Sequence, residues 1–336
     1  MGGTKSNKNR KRIGIVGLGS IGVKHCLALK ELGVTEIYAL RTNKGNKVIP
    51  LELNGIVKYI FDNSEFENID GFIISNPTSL HVESLKKLSD FNKPVFIEKP
   101  FCNEIEGFLL RNMDLTNINI QIGFCLRFNN VIKKVKEIID SNIIGDIYHC
   151  RLNVGQFLPL WHPYTDYRNE YFSKKELGGG SIRTLSHEID LAQYFFGKPS
   201  ALKGYIDKVS NLEIDVDDYT LLLLNYNDLF VVRIEMDFLS KKPERNGKIY
   251  GKNFDLIYDV FLNRIEMYNK EGKLETYFVV ASNDMYLEQM KTFLDIIDDP
   301  KGNFNNTAAT LEESLLQLDL IKKAEYYSAN DTWIKL

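Results

Sequence analysis

The sequence predicts an α/β protein: a doubly wound parallel sheet toward the amino end, then an α+β unit built on an open, mostly antiparallel sheet. Three observations carry this. Short β-branched runs alternate with helical stretches as far as Gly123. A glycine corner, Gly17-Leu18-Gly19-Ser20-Ile21-Gly22, stands between the first strand and the first helix. Beyond Ala201, long β-rich stretches follow one another with no helix between them.

Taken in order, Ile13, Ile15 and Val16 read as a buried parallel strand, and Ile21, Cys26, Leu27 and Leu29 recur at roughly helical spacing. Glu36 to Leu40 is the second strand, Val57 to Phe61 the third and Gly71 to Ser75 the fourth. An amphipathic helix follows from Leu80 to Leu88, then a strand at Pro94 to Ile97, another helix, and a strand at Ile118 to Ile122. Past Gly123 the pattern changes: a helix over Val131 to Ile139, a strand over Asp146 to Val154, and a helix over Thr184 to Phe196 after Gly178-Gly179-Gly180. The stretches YTLLLLNY, LFVVRIEM, FDLIYDV and ETYFVV supply the second sheet, and helices over Tyr286 to Ile297 and Leu311 to Tyr326 close the chain. The expected division is a flexible basic tail over 1–11, a dinucleotide-binding domain over 12–124, and a substrate-binding and oligomerisation domain over 125–336.

Composition narrows the function classes. With 44% hydrophobic and 26% charged residues and a net charge of −3, the chain reads as a globular protein that nothing global draws to nucleic acid or an acidic membrane. No apolar run reaches the ~20 residues that span a bilayer, so a cytoplasmic location is expected. The 4 cysteines, Cys26, Cys102, Cys125 and Cys150, are widely spaced; reduced thiols are expected, with no metal site. Gly2 followed by Ser6 fits the N-myristoylation pattern, and a plain disordered tail explains the same residues.

The glycine corner fits a dinucleotide. A tight turn is needed at Gly17, a residue without Cβ at Gly19 so that a pyrophosphate approaches the backbone, and a small residue at Gly22 where helix meets strand. Ser20 and Ile21 then open a helix whose free N–H groups and partial positive charge suit phosphate. The second strand ends in Arg41-Thr42, where NAD-specific folds usually carry an acid; this leans toward NADP, the other reading being a solvated loop arginine. Asn76, Pro77, Glu98, Lys99 and Pro100 fall at carboxyl ends of strands, where such sheets bind ligands. An ammonium at Lys99 could polarise a hydroxyl or carbonyl; an ordinary strand-end turn explains it equally.

His187, with Thr184 and Asp190 near it, lies about 200° round from Leu185 on a continuous helix and so points away from the core. It reads either as a proton-exchanging group or as an incidental histidine on a solvated face. The loop holding Trp161, His162, Tyr167 and Arg168 mixes aromatic and hydrogen-bonding groups, which suits a polyhydroxylated ring or a subunit contact. Arg127 reads as an anion or hydroxyl contact, or as a salt bridge in the hinge.

Together GLGSIG with His25 following, SNPTSLH over 75–81, EKP, GFCLRF and GGGSIRTLSHEID resemble the glucose-fructose oxidoreductase, inositol dehydrogenase and rhizopine catabolism family, Gfo/Idh/MocA. The resemblance implies an N-terminal Rossmann domain and a C-terminal domain whose open sheet often builds homodimers or homotetramers. It implies NAD(P)-dependent oxidation or reduction of a sugar or cyclitol, with Lys99 and His187 acting on the reacting hydroxyl and His81 among the cofactor-binding residues. The substrate expected from this is a small-molecule sugar, and the WHPYTDYR and SHEID segments suggest a nucleotide-linked or amino sugar of surface-glycan biosynthesis. Many members carry an aspartate just before the histidine; here that position is Thr184, or Arg183 one residue away. Two alternatives accompany the dehydrogenase reading: an NAD-dependent glycosidase using transient oxidation, which the resemblance also implies because some members keep NAD bound, and a catalytically weak cofactor-binding sensor or scaffold, suggested by the missing aspartate.

Overall fold

The computed structural model describes residues 11–41, 49–66, 68–105, 108, 113–162, 164–302 and 307–330. Residues 1–10 of the expected basic tail, Thr42, and most of the helix expected between Pro100 and Ile118 lie outside the described residues. Strands are β1 (Arg12–Val16), β2 (Glu36–Leu40), β3 (Val57–Ile60), β4 (Gly71–Ile74), β5 (Val95–Ile97), β6 (Ile120–Ile122), β7 (Ile147–Gly155), β8 (Ala201–Asp207), β9 (Tyr219–Tyr226), β10 (Phe230–Asp237), β11 (Glu244–Gly251), β12 (Asp255–Asp259), β13 (Arg264–Tyr268) and β14 (Leu274–Val279). Helices are α1 (Ser20–Glu31), α2 (His81–Ser89), α3 (Asn130–Asp140), α4 (Ser181–Thr184), α5 (His187–Phe196), α6 (Met285–Asp298) and α7 (Leu311–Asn330).

Contacts divide the chain into two compact units, Met1–Phe128 with Asp284–Leu315, and Asn129–Asn283 with Leu316–Leu336. In the first unit six parallel strands stand in the order β3-β2-β1-β4-β5-β6, so strand order reverses between β1 and β4. The register aligns Ile15 with Ile73 and Ile73 with Phe96. Those side chains share a core with Ile13, Cys26, Leu29 and Ile37, and with Met290 and Phe293 from α6, which returns from late in the sequence. Helix α1 departs from its expected face at one place: Leu27 is 36% exposed, and His25 is fully buried in its stead.

The second unit holds an eight-stranded sheet in the order β14-β13-β12-β11-β7-β10-β9-β8. The pairing of β7 with β10 is parallel and the others are antiparallel, because β7 enters between strands made much later. Cys150, Leu152, Val154, Ile234 and Met236 face inward, where α5 packs on β7 and β10. The opposite face carries Arg151, Arg233 and Lys248, which with Asn153, Glu235 and Asn246 line a shallow cleft of about 320 Å³. The single helix expected over Thr184 to Phe196 is two: α4 ends at Thr184, and α5 begins at His187. The angular argument across Leu185 and Ser186 therefore fails, and Thr184 and Asp190 are buried rather than set on an outer face.

Candidate active site

In the first unit the glycine corner has the three properties a pyrophosphate needs. Gly17 sits at φ +102°, where a Cβ would fall 2.4 Å from the Asn76 backbone nitrogen. At Gly22 a Cβ would meet the Gly17 carbonyl at 2.2 Å, so α1 closes directly onto the turn, which the Ser75 hydroxyl clips by donating to the same carbonyl at 2.8 Å. At Gly19, by contrast, an added Cβ meets nothing within 4 Å. Only that position is open to an approaching group. Helix α1 then starts at exposed Ser20 and half-buried Ile21, with no acidic side chain in its first turn and no side-chain cap among the described residues. Its free N–H groups are left for an anion.

At the carboxyl end of β2, Arg41 lies over the Tyr59 ring with its guanidinium carbon 5.0 Å from the centroid, and its N–H donates to the Ile60 carbonyl. Next to β4, Asn76 donates to Ser84 at 2.8 Å while its Oδ1 is buried without a partner among the described residues. Pro77 is exposed beside it.

At the end of β5, Glu98 and Lys99 are half-buried, and the Lys99-Pro100 peptide is cis. The Glu98 carboxylate is already engaged. Its Oε1 lies 2.7 Å from His25 Nε2, and its Oε2 accepts the Lys99 N–H at 3.1 Å. Gly123 lets this carboxylate lie against the backbone of the loop after β6: a Cβ there would be 2.9 Å from Oε2. His81, expected among the cofactor-binding side chains, is instead turned into the protein. Its Nδ1 lies 3.0 Å from the Pro100 carbonyl oxygen and its Nε2 2.8 Å from that of Asn76. Burial holds its pKa below the ordinary value, the two carbonyls and Glu98 pulling the other way. Arg127 is fully buried and donates to Glu313 at 3.1 Å; of the readings open for it, the structure displays a salt bridge.

In the second unit, the segment leading to His187 is fastened at several points. Asp217 accepts from the Ser181 hydroxyl and the Ile182 amide, at 2.5 and 3.1 Å, where Gly180 at φ +108° leaves room for its carboxylate. Burial pushes the Asp217 carboxyl up, and those two hydrogen bonds hold it down. Gln317 donates to the Ser186 carbonyl at 2.7 Å. Glu188, next to His187, accepts from Arg245 at 2.8 Å while almost wholly buried. His187 itself is half-buried at the first residue of α5, with buried Asp190 one turn on.

The aromatic loop is largely self-engaged. Trp161 packs edge-on against Phe172 and Phe238, with centroids 5.1 and 5.4 Å away. Arg168 pairs with Asp166 and Glu213, both at 2.7 Å, and the Glu213 N–H donates to the Tyr167 hydroxyl. His162 is exposed, 3.9 Å from Glu170. Sequence reasoning singled out neither the Asp217 anchor nor the Glu188–Arg245 pair. Their partners lie far apart in the sequence, so the pairings are visible only once the elements are placed. Among the thiols, Cys26 and Cys102 are buried, which pushes them up to about 12 and about 11, and Cys150 is raised further. No metal-binding cluster and no helix long and apolar enough to cross a membrane occurs among the described residues.

Comparison with known proteins agrees with this geometry. Residues 11–108 match the family described as oxidoreductase family, NAD-binding Rossmann fold, and residues 132–257 match the GFO/IDH/MocA C-terminal domain. A myo-inositol 2-dehydrogenase of Thermotoga maritima is 24% identical over 317 residues, spanning 84% of this chain and 87% of its own. Among solved structures, an oxidoreductase from Agrobacterium radiobacter in complex with NAD+, L-tartaric acid and magnesium superposes with a TM-score of 0.78 at 17% identity, covering 96% and 97% of the two chains. A UDP-N-acetylglucosamine 3-dehydrogenase from Acidithiobacillus ferrooxidans superposes at 0.76 and 16%, covering 94% and 97%. At such identities the structures speak for the fold alone. With both halves matched by the family's own domains, and an open glycine corner at the reversal point of a 3-2-1-4-5-6 sheet, the chain belongs to the GFO/IDH/MocA oxidoreductase family.

Proposed function

We propose that this oxidoreductase transfers a hydride between a nicotinamide dinucleotide and a CH–OH group of a sugar or sugar derivative, a nucleotide-linked or amino sugar being the favoured class. The observation that carries the reading is the contrast within the glycine corner, closed at Gly17 and Gly22 and open at Gly19, over an uncapped helix start. Gly17 to Gly22 would hold the pyrophosphate, and Asn76 and Pro77 would flank the nicotinamide half. When bound, the dinucleotide supplies the hydride acceptor or donor. Lys99 polarises the reacting oxygen, and His187 exchanges its proton, with Asp190 the carboxylate nearest along the helix. The named relative, an inositol dehydrogenase, supports a polyol or sugar ring as substrate.

NADP is the favoured cofactor form, because Arg41 is held over Tyr59 at the strand end where an adenosine ribose lies in this fold. Self-association into a homodimer or homotetramer is supported by the open outer face of the eight-stranded sheet, which exposes Leu223 and Val231 beside its charged groups. Sedimentation would read it.

The deciding experiment is titration with NADH and NADPH, followed by a screen of sugars, cyclitols and nucleotide sugars at 340 nm. A dehydrogenase changes that absorbance. Turnover without net change would mark the glycosidase alternative, and binding without any turnover across the panel the sensor, the outcome that Thr184 in place of the usual acid favours.

A further inference from the structure

Two buried histidines that the reaction itself does not use converge on one turn. His25, on the helix after β1, faces the Glu98 carboxylate at 2.7 Å; since a carboxylate only accepts, Nε2 carries the proton. The ring is fully buried, edge-on to Phe96 at 4.9 Å and to Tyr286 at 6.0 Å, so it has little room to turn away. Glu98 passes the constraint on by accepting the Lys99 N–H, and Gly123 beneath it leaves space for the carboxylate. From the other side His81, on the helix after β4 and 1% exposed, is wedged between the carbonyl oxygens of Asn76 and Pro100, to one of which its neutral ring donates its single N–H. Glu98 and Pro100 are the two neighbours of Lys99. Each lies against a buried imidazole rooted in a different helix.

The geometry points to His25 and His81 as positioning residues for Lys99, a paired clamp that fixes the Glu98-Lys99-Pro100 turn to the phosphate-binding helix on one side and to the Asn76 loop on the other. This rests on the reading of Lys99 as the group that meets substrate. Its physical content is independent of substrate: the clamp orders a backbone whose own ladder bonds end at Glu98, where the Glu98 N–H donates to Ile74 and the Gly123 N–H to Ile97. A side chain that must be aimed within a fraction of an ångström needs such support.

The test uses the full chain without added substrate. Selective 15N labelling of lysine and isoleucine, with the Lys99 signal assigned by its loss in Lys99→Arg, follows hydrogen exchange of the Lys99 amide relative to the isoleucine amides of β1. His25→Phe and His81→Phe should each speed that exchange by about tenfold or more, while β1 amides keep their protection. His25→Gln retains a donor toward Glu98 and should restore exchange to within about threefold of the parent. NADH affinity should change by less than about threefold, because the glycine corner is untouched. A Lys99 amide as slow in the Phe variants as in the parent, or as fast in His25→Gln as in His25→Phe, overturns the clamp. Should either Phe variant fail to fold, His25→Asn and His81→Asn, too short to span the same gaps, carry the same expectation. Where the screen has found a substrate, kcat falls and the cofactor KM stays. Where it has found none, the oxidoreductase reading fails while the exchange result still decides the clamp.

Discussion

Replacing Gly19 with alanine separates a ligand-binding glycine from structural ones. Gly19 has φ −70° and ψ −170°, ordinary extended backbone, and an added Cβ finds no atom within 4 Å. Alanine gains about 0.4–1 kcal/mol from a less mobile unfolded chain and gives back a comparable amount as a poorer N-cap. Stability should stay within about 1 kcal/mol, a melting shift of about 2–4 °C for a domain of this size. The methyl group, however, fills the one direction from which a pyrophosphate reaches the backbone. Losing two charge-assisted N–H bonds at about 1.5–3 kcal/mol each is worth at least about 3 kcal/mol, or a hundredfold or more in Kd. The matched control is Gly22→Ala, whose Cβ would lie 2.2 Å from the Gly17 carbonyl and 2.8 Å from the Ser75 hydroxyl. It should cost about 2–4 kcal/mol through strain and the lost Ser75 bond. Calorimetric melting and NADH fluorescence titration read the two quantities. A Gly19→Ala protein that binds NADH and NADPH with parental affinity would refute the assignment of the corner.

Further outcomes follow from other parts of the molecule. Arg41→Ala should weaken NADPH by about tenfold or more and NADH by less than about threefold, since only the former presents a phosphate to the guanidinium; equal effects would remove the NADP preference. Lys99→Met should lower kcat by about 10²–10⁴ while NADH titrates nearly as before, and stopped-flow absorbance at 340 nm separates the two. His81 has a folded pKa below its unfolded value, so the unfolded chain takes up the proton first. Its contribution to stability is therefore complete above about pH 6.5 and declines as pH falls through the lowered value. Urea midpoints should drop between neutral pH and about pH 5, and less so in His81→Gln. Cys26 and Cys150, buried and raised in pKa, should react with a thiol reagent only on unfolding, whereas the half-exposed Cys125 reacts in the folded chain.

Much of this could be read from the chain. Strands with period or run signals of their own, such as Gly71–Ile74 and Tyr219–Tyr226, fall where hydrophobicity puts them. The functional glycines were legible because strand, corner and helix are contiguous. What escaped depends on partners distant in sequence. His25 reads as a polar interruption of α1, and only Glu98, 73 residues on, explains its burial in place of Leu27. The break between Thr184 and His187 has no proline to announce it; it lies where Gln317 bonds the Ser186 carbonyl and Arg245 pairs with Glu188. Strand β7 could be placed as a strand but not between β10 and β11, because periodicity carries no information on pairing. For Arg127, the Glu313 carboxylate that takes its charge comes from the final helix.

The return of α6 to the first unit bears on how the protein is made. Met290, Phe293 and Leu294 belong to the same hydrophobic cluster as Ile15, Ile73 and Phe96, each such side chain contributing about 1.5–3 kcal/mol of burial. A ribosome that has released only the first 128 residues has therefore produced a sheet with one face only partly covered, by α1, and the whole of Asn129–Asn283 must emerge before the missing helix arrives. In genetic terms Asn129–Asn283 is an insertion within the dinucleotide-binding unit. Neither cutting the gene at the boundary nor grafting the amino-terminal piece onto another enzyme should yield a soluble module unless α6 travels with it.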